Sequence, residues 1–215
     1  MAQRKSGVAA LAPLTGALFV VLTVAGFLPG GEPPDADAPI GEVVEYWVDN
    51  DAAAMVGTIL HALAAVALIF FAASLRRALR RSEDGAGILS VAAMGGGIVA
   101  AAGIGVDASI RFAAADLAGD VDGVVIQTLN ALWSDFFFPM VIGLATLILA
   151  TGLSALRTRV IPVWLAWIGF LICIVFFTPA GFVAFLVSGL WVIVVSILLW
   201  REEAAMSAGS VGAAV

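Results

Sequence analysis

The sequence predicts an all-α protein: a polytopic transmembrane bundle of six spans with a short external amphipathic helix. The 215 residues are 62% hydrophobic and 12% charged, whereas soluble domains carry about 25% charged residues. Residues 160–200 form an almost continuous apolar run, which as one helix would measure about 60 Å at ~1.5 Å per residue. Because a bilayer core is only about 30 Å thick, this run must fold back on itself.

The hydrophobic runs place six spans in a single domain over residues 1–203, followed by a flexible cytoplasmic tail over residues 204–215. The spans lie near residues 8–28, 54–75, 86–106, 130–155, 160–178 and 181–200. The first resembles a signal peptide, because Arg4 and Lys5 precede it. Its apolar run is too long for such a peptide, so we interpret it as a retained anchor.

The loop after the first span contains the predicted external helix. Its first part is rich in proline and glycine, which favours an extended chain. Its second part spaces apolar residues at helical intervals, namely Val43, Val44, Trp47 and Val48. This spacing predicts a short helix on the outer membrane surface with Tyr46 and Trp47 at headgroup depth. The alternative is an irregular loop packed on the bundle.

Glycines in the third span predict close helix packing. Gly97 and Gly103 belong to small-residue faces of the kind found where membrane helices meet at their backbones. Beyond this span, residues 107–127 are expected to extend the helix, turn near Gly119 and start the fourth helix early. The stretch Asp120–Gly123 resembles a fragment of a calcium loop, but without the remaining ligands we favour helix capping.

The long apolar run is predicted to be a helical hairpin. Its break lies at residues 178–181, where Pro179 lacks an N–H and Gly181 tolerates turn conformations. Pro162 lies in the first turn of the fifth span, where a missing N–H costs nothing.

Charge predicts the orientation of the chain. In the six-span arrangement, nine of the ten Lys and Arg residues lie on one side, and Arg111 lies on the other. The positive-inside rule therefore puts both termini in the cytoplasm of a plasma-membrane protein. The first cytoplasmic loop holds a basic block that we expect to fix topology and to contact anionic lipid headgroups. It consists of Arg76, Arg77, Arg80 and Arg81.

Composition argues against several classes of partner and site. A net charge of −6 without a basic patch disfavours a nucleic-acid partner. One histidine and one cysteine, Cys173, cannot form a disulfide or a credible protein zinc site. No cofactor-binding or catalytic motif lies on a suitable element, so we expect no cofactor and favour a non-enzymatic role.

Polar residues in the outer third of the bilayer are the candidate binding site, because ionisable groups are costly to bury there. The set is His61, Asp107, Arg111, Asn130 and Asp135. We expect Arg111 to pair with Asp107 or Asp135, and His61 to face the bundle interior beside an acid. A ligand at such an acidic site would be cationic. The alternative is that these residues are interfacial and are satisfied by water and one another.

Three stretches carry a resemblance to a known family. They are Gly41–Tyr46 leading through Asn50 into the second span, the fifth-span opening Arg159–Gly169 with its hairpin, and Trp191–Leu199. The pattern resembles a family of six-span integral membrane proteins common in actinobacteria and related to a domain of unknown function. The resemblance implies a compact helical membrane protein and no particular activity.

Two classes of function follow from the sequence. The first is a structural, accessory or regulatory membrane subunit that works with a membrane-protein partner or a second copy of itself. The second is a small transporter or ligand-binding protein with an outward-facing polar pocket around His61, Asp107, Arg111 and Asp135. The first is favoured, because the predicted mid-membrane sequence is nearly bare of charge, whereas transport sites usually lie near the midplane.

Overall fold

The computed structural model describes residues 11–83 and 85–212, with side chains up to residue 206. The regular secondary structure of these residues consists of helices, and none of them forms a strand. A short 3-10 turn, Ala12–Leu14, precedes the first α-helix. The helices are α1 (Thr15–Phe27), α2 (Ile40–Asp49), α3 (Asp51–Ser82), α4 (Ile88–Leu117), α5 (Gly123–Asp135), α6 (Phe138–Thr158), α7 (Val163–Val175) and α8 (Gly181–Gly212). The all-α prediction is confirmed, while Arg4 and Lys5 lie outside the described residues.

Four segments are long and apolar enough to cross a membrane. They are Asp51–Ser82, Ile88–Leu117, Gly123–Thr158 and Gly181–Met206. The apolar helices Ala12–Phe27 and Val163–Val175 are shorter, about 24 Å and 20 Å at ~1.5 Å per residue. The chain is therefore a helical bundle with four candidate membrane spans, and the six-fold crossing stays a prediction.

Helix α4 packs between two other long helices. It packs along α3 on one side and α6 on the other, while α1 packs on α3, α7 on α6, and α8 on α1 and α7. Glycine permits the closest of these contacts. A Cβ atom added to Gly103 would lie 2.6 Å from the backbone nitrogen of Met140, a distance that real Cβ atoms do not tolerate. Gly97 and Gly103 of the third predicted span therefore lie at helix–helix contacts.

A second, smaller core lies beside the main one. Val43 and Trp47 of α2 pack there with Ala114 of α4 and Ile126 of α5. Trp47 is 1% exposed, and its indole Nε1 donates to Oδ1 of Asn130 at 3.1 Å. The predicted helix at residues 40–48 is present, and the protein itself covers the indole of Trp47. The depth of this helix in the membrane stays a prediction.

The turn between α4 and α5 follows the sequence prediction. Helix α4 extends to Leu117, Gly119 adopts a positive φ of 88°, and α5 begins at Gly123. The carboxylate of Asp122 accepts a hydrogen bond from the amide of Val124 at 2.9 Å, which is the capping role favoured over calcium binding. The predicted fourth span thus starts earlier than residue 130.

Two helix breaks shape one end of the bundle. Helix α5 ends at Asp135 and α6 starts at Phe138 with Pro139 in its first turn, so the predicted span over residues 130–155 is two helices. Helix α7 ends at Val175 and α8 starts at Gly181, which confirms the predicted break at residues 178–181. Both breaks lie at the same end of the bundle.

The last helix runs to Gly212 instead of giving way to a flexible tail at residue 204. Alanine, glutamate and methionine, all strong helix formers, fill residues 202–206. The Glu203 carboxylate is also buried, 3.5 Å from Arg81 and 3.9 Å from Arg77. Arg80 donates to the backbone carbonyls of Glu83 and Gly85, so most of the basic block contacts protein. Residues 213–215 lie outside the described chain.

Close packing at Gly103 predicts a position-specific cost for added volume. Gly103→Ala should lower the free energy of unfolding by about 1–3 kcal/mol, because the methyl group meets backbone. Gly105→Ala is the matched control, since nothing lies within 4 Å of its added Cβ and alanine favours a helix by about 1 kcal/mol over glycine. Thermal unfolding in mild detergent measures both; equal stabilities would contradict this packing.

Candidate ligand-binding site

A cavity of about 490 Å³ lies where the ends of several helices meet. The end of α1, the end of α7 and the C-terminal part of α4 line it, together with the beginnings of α6 and α8. Its wall is mainly apolar and includes Phe27, Ile104, Phe137, Met140, Phe182 and Phe185. Size and lining both match small-molecule pockets, which measure about 300–1,000 Å³ and are mostly apolar with a few polar groups.

The imidazole of His61 forms one polar part of this wall. The side chain is 2% exposed, and its Nε2 lies 3.3 Å from the carbonyl oxygen of Thr23. Because a carbonyl oxygen only accepts, Nε2 carries the proton in the neutral ring, which makes Nδ1 an acceptor. Nδ1 is buried and has no hydrogen-bond partner among the described residues. Leaving a buried polar atom unpaired costs about 1–3 kcal/mol.

The indole of Trp133 is a second polar group on the same wall. Its Nε1 is buried and makes no hydrogen bond of ordinary geometry within the described part of the chain, although it interacts with the Asp107 carboxylate as a weak donor. Three buried side-chain atoms in the described residues lack a partner of ordinary geometry. Two of them belong to residues that line this cavity, and the third is Oγ of Ser154. An unpaired acceptor and a weakly bonded donor therefore belong to residues of the same wall.

Arg111 lies behind the cavity wall and is held by backbone oxygens. The side chain is 4% exposed. Its Nη1 donates to the carbonyl of Gly26 at 2.9 Å and its Nη2 to that of Pro29 at 3.1 Å. The last carbonyls of a helix lack intrahelical partners and form the negative end of its dipole. In the described structure neither Asp107 nor Asp135 lies within ion-pair distance of Arg111, so the predicted pairing is wrong. Backbone carbonyls at the end of α1 accept from the guanidinium instead.

Two glycines make this arrangement possible. A Cβ atom on Gly57 of α3 would overlap the guanidinium of Arg111, and one on Gly26 of α1 would lie 2.8 Å from the ring of His61. The guanidinium also lies over the ring of Trp133, 5.9 Å from its centroid, a cation–π distance. Arg111 thus contacts α1, α3 and α5 at once.

Charge around the cavity is close to balanced. Asp107 is the acidic residue of the lining, and Arg111 behind it interacts favourably with this carboxylate. Nearby in α2, burial raises the pKa of the Tyr46 phenol above its usual value, and the positive charge of Arg111 opposes that rise. Because the positive charge of Arg111 offsets the carboxylate of Asp107, the pocket is less acidic than the sequence suggested.

The five predicted site residues separate in the structure. His61 and Asp107 line the cavity, and Arg111 supports its wall. Asn130 is fully buried elsewhere, accepting from Trp47 and donating to the carbonyl of Pro34 at 3.1 Å. Asp135 is exposed and does not line the cavity.

Sequence reasoning missed Trp133 and the phenylalanines that other helices contribute to the wall. The signal that could have found them is the run Phe136–Pro139, which marks a helix break beside Asp135. A break of this kind places the preceding residues at a corner of the bundle, where cavities form.

Comparison of the chain with models of known families, with curated proteins and with solved structures finds no match. Within the described residues, no group of three His, Cys, Asp or Glu side chains could hold a metal ion. The thiol of Cys173 is partly buried and donates to the carbonyl of Ala145 at 3.4 Å. Function must therefore be argued from the cavity itself, and the actinobacterial family remains a prediction.

The position of Arg111 predicts a large cost for its removal. Arg111→Ala should lower the free energy of unfolding by about 3 kcal/mol, because two buried carbonyls lose a charged donor. Arg111→Lys, which offers a single ammonium, should lose less. Chemical unfolding in detergent gives the free energy of unfolding of both variants. The control is Arg76→Ala, because Arg76 is exposed near the C-terminal end of α3. A loss at Arg111 no greater than at Arg76 would refute the role of this contact.

Proposed function

We propose that the chain is a plasma-membrane protein with six spans and cytoplasmic termini. Nine of its ten basic residues fall on one side of that arrangement. The cavity supports the same alternation. It is lined by the ends of α1 and α7 and the late part of α4, and by the beginnings of α6 and α8. Helices that run alternately up and down have these parts at one end of the bundle, which is here the outer end.

Single-cysteine labelling in a Cys173→Ser background tests this topology. In intact cells an impermeant thiol reagent should modify Asp37→Cys and Asp120→Cys, because both lie in exposed external turns of the six-span arrangement. It should modify Ala86→Cys and Met206→Cys only after permeabilisation. The reverse pattern, or labelling of all four positions in intact cells, would contradict the proposed orientation.

We further propose that this membrane protein binds a small, mainly apolar molecule in the outer cavity. The observation that carries the proposal is a cavity of about 490 Å³ lined by His61 and Trp133, each of which has a buried polar atom without a hydrogen bond of ordinary geometry in the described structure. Convergent polar groups in an otherwise apolar pocket are the usual composition of a ligand site. A well-packed structural bundle has no need for buried polar atoms without partners.

Binding fits the cavity better than transport does. The cavity lies at helix ends, among Phe27, Phe176 and Gly181. Transport sites usually lie near the bilayer midplane, where broken helices expose backbone groups to the substrate. A site at the outer end can receive and release a molecule without moving it across the membrane. We therefore favour a receptor or carrier of an apolar ligand.

An accessory-subunit role is the second candidate, and an acidic surface favours it. A shallow depression beside α2 is lined by carboxylates on both its rims, from Glu32, Asp35, Glu42, Glu45 and Asp49. In the six-span arrangement this surface faces outward and could receive the basic surface of a partner protein. It would leave the cavity without a purpose, and so it stands second.

Blocking the cavity tests the binding proposal. Native mass spectrometry in mild detergent should show saturable binding of one eight-carbon aliphatic molecule per chain. Ser134→Trp should abolish it, because Ser134 is exposed and lines the cavity.

Thr128→Trp is the matched control for this blocking substitution. Thr128 lies on the same helix outside the cavity and, like Ser134, bonds the carbonyl four residues back. Its replacement should leave binding intact. If no saturable binding occurs in the wild-type chain, the ligand-binding proposal fails and the accessory role is favoured.

A further inference from the structure

We infer that the ligand of the outer cavity is a neutral aliphatic alcohol, whose hydroxyl donates to Nδ1 of His61 and accepts from Nε1 of Trp133. This inference rests on the proposed binding function and adds the chemical class of the ligand. It follows from three properties of the wall: which polar atoms are unpaired, how the charge is balanced, and what surrounds them.

His61 demands a hydrogen-bond donor. Its Nε2 is engaged with the carbonyl of Thr23, so the neutral ring offers the ligand only the lone pair of Nδ1. That atom has no partner in the described structure. An ether, an ester or a carboxylate can only accept hydrogen bonds, and therefore cannot satisfy it.

Trp133 demands the opposite property. An indole N–H is a donor only, and this one is buried without a hydrogen bond of ordinary geometry among the described residues. An ammonium group has no lone pair to accept it. A hydroxyl group both donates and accepts, so it is the smallest single group that suits the two sides of the wall.

Charge also favours a neutral head group. The carboxylate of Asp107 lines the cavity, and the guanidinium of Arg111 lies behind it and interacts with it. A cation in the cavity would share Asp107 with Arg111, and an anion would face Asp107 directly. A hydroxyl leaves the longer-range attraction between Asp107 and Arg111 undisturbed. A neutral ligand therefore replaces the cationic ligand expected from the sequence.

The rest of the cavity suits a hydrocarbon chain. Phe182 lines it while remaining 72% exposed, and Phe137 lines it while 43% exposed. These rings form an apolar rim at the breaks before α6 and α8. The alcohol can therefore enter along an apolar surface, with its chain against the phenylalanines and its hydroxyl toward His61.

Three probes that share an octyl chain separate the possible head groups: 1-octanol, 1-methoxyoctane and octylamine, which is protonated at neutral pH. Native mass spectrometry of the full-length protein in mild detergent should show one octanol per chain. We expect octanol to bind about tenfold more tightly than either other probe, the size of effect that a satisfied buried hydrogen bond gives. This comparison needs no substitution and so does not depend on the folding of a variant.

Two substitutions assign the preference to its residues. His61→Gln keeps an amide near the Nε2 position but has no counterpart of Nδ1, and should remove the preference for octanol over 1-methoxyoctane. Trp133→Phe should narrow the gap between octanol and octylamine. Thr128→Val, outside the cavity, should change neither ratio.

The outcomes separate this inference from the function on which it rests. Equal binding of octanol and 1-methoxyoctane by the wild-type chain would overturn the alcohol while leaving cavity binding in place. Tightest binding of octylamine would overturn the neutral head group. An octanol preference that survives His61→Gln would remove His61 from the site. Failure of all three probes to bind would overturn both proposals.

Discussion

The contact between the guanidinium of Arg111 and the end of α1 is the interaction on which this structure depends most. A buried arginine is expensive unless its donors are satisfied, and here the carbonyls of Gly26 and Pro29 satisfy them. To reach them the side chain passes Gly57 of α3, where any added Cβ would overlap it. The guanidinium of Arg111 on α4 therefore fixes the end of α1 against α3. This close packing requires glycine at positions 57 and 26, where a side chain would not fit.

The cavity is a consequence of this arrangement. With α1 fixed, Thr23 presents its carbonyl to Nε2 of His61 and leaves Nδ1 without a partner. The 3.1 Å hydrogen bond between Trp47 and Asn130 holds α5 to the second core. Trp133, one turn after Asn130 on α5, thereby reaches the cavity wall. The breaks before α6 and α8 leave room between these helix ends, which continuous spans would have filled.

Much of the fold could be predicted from the sequence because breaks and periodicity have local causes. Pro179 with Gly181, and Gly119 beside Asp120, favour helix ends through their own backbone chemistry, and the structure has those ends. The helix over residues 40–48 was predicted from its spacing alone. The burial of Trp47 was not, because the partner that covers it, Asn130, lies far along the chain.

The candidate site was predicted only in part, for a related reason. His61 and Asp107 were found because ionisable residues in an apolar layer are costly and need an explanation. The partners of Arg111 are backbone carbonyls, which carry no residue-type signal, so a pairing with an acid was expected instead. Trp133 resembles an ordinary interfacial aromatic in sequence, and only its buried Nε1, which has no hydrogen bond of ordinary geometry in the described structure, distinguishes it.

The chain contains a single histidine, so nitrogen-15 NMR of histidine-labelled protein observes the central group without any substitution. The account predicts a neutral ring protonated at Nε2, with an Nδ1 resonance that moves toward its hydrogen-bonded position when 1-octanol is added and stays unchanged with 1-methoxyoctane. A ring protonated at Nδ1 in the free protein, or resonances that do not respond to 1-octanol, would contradict it.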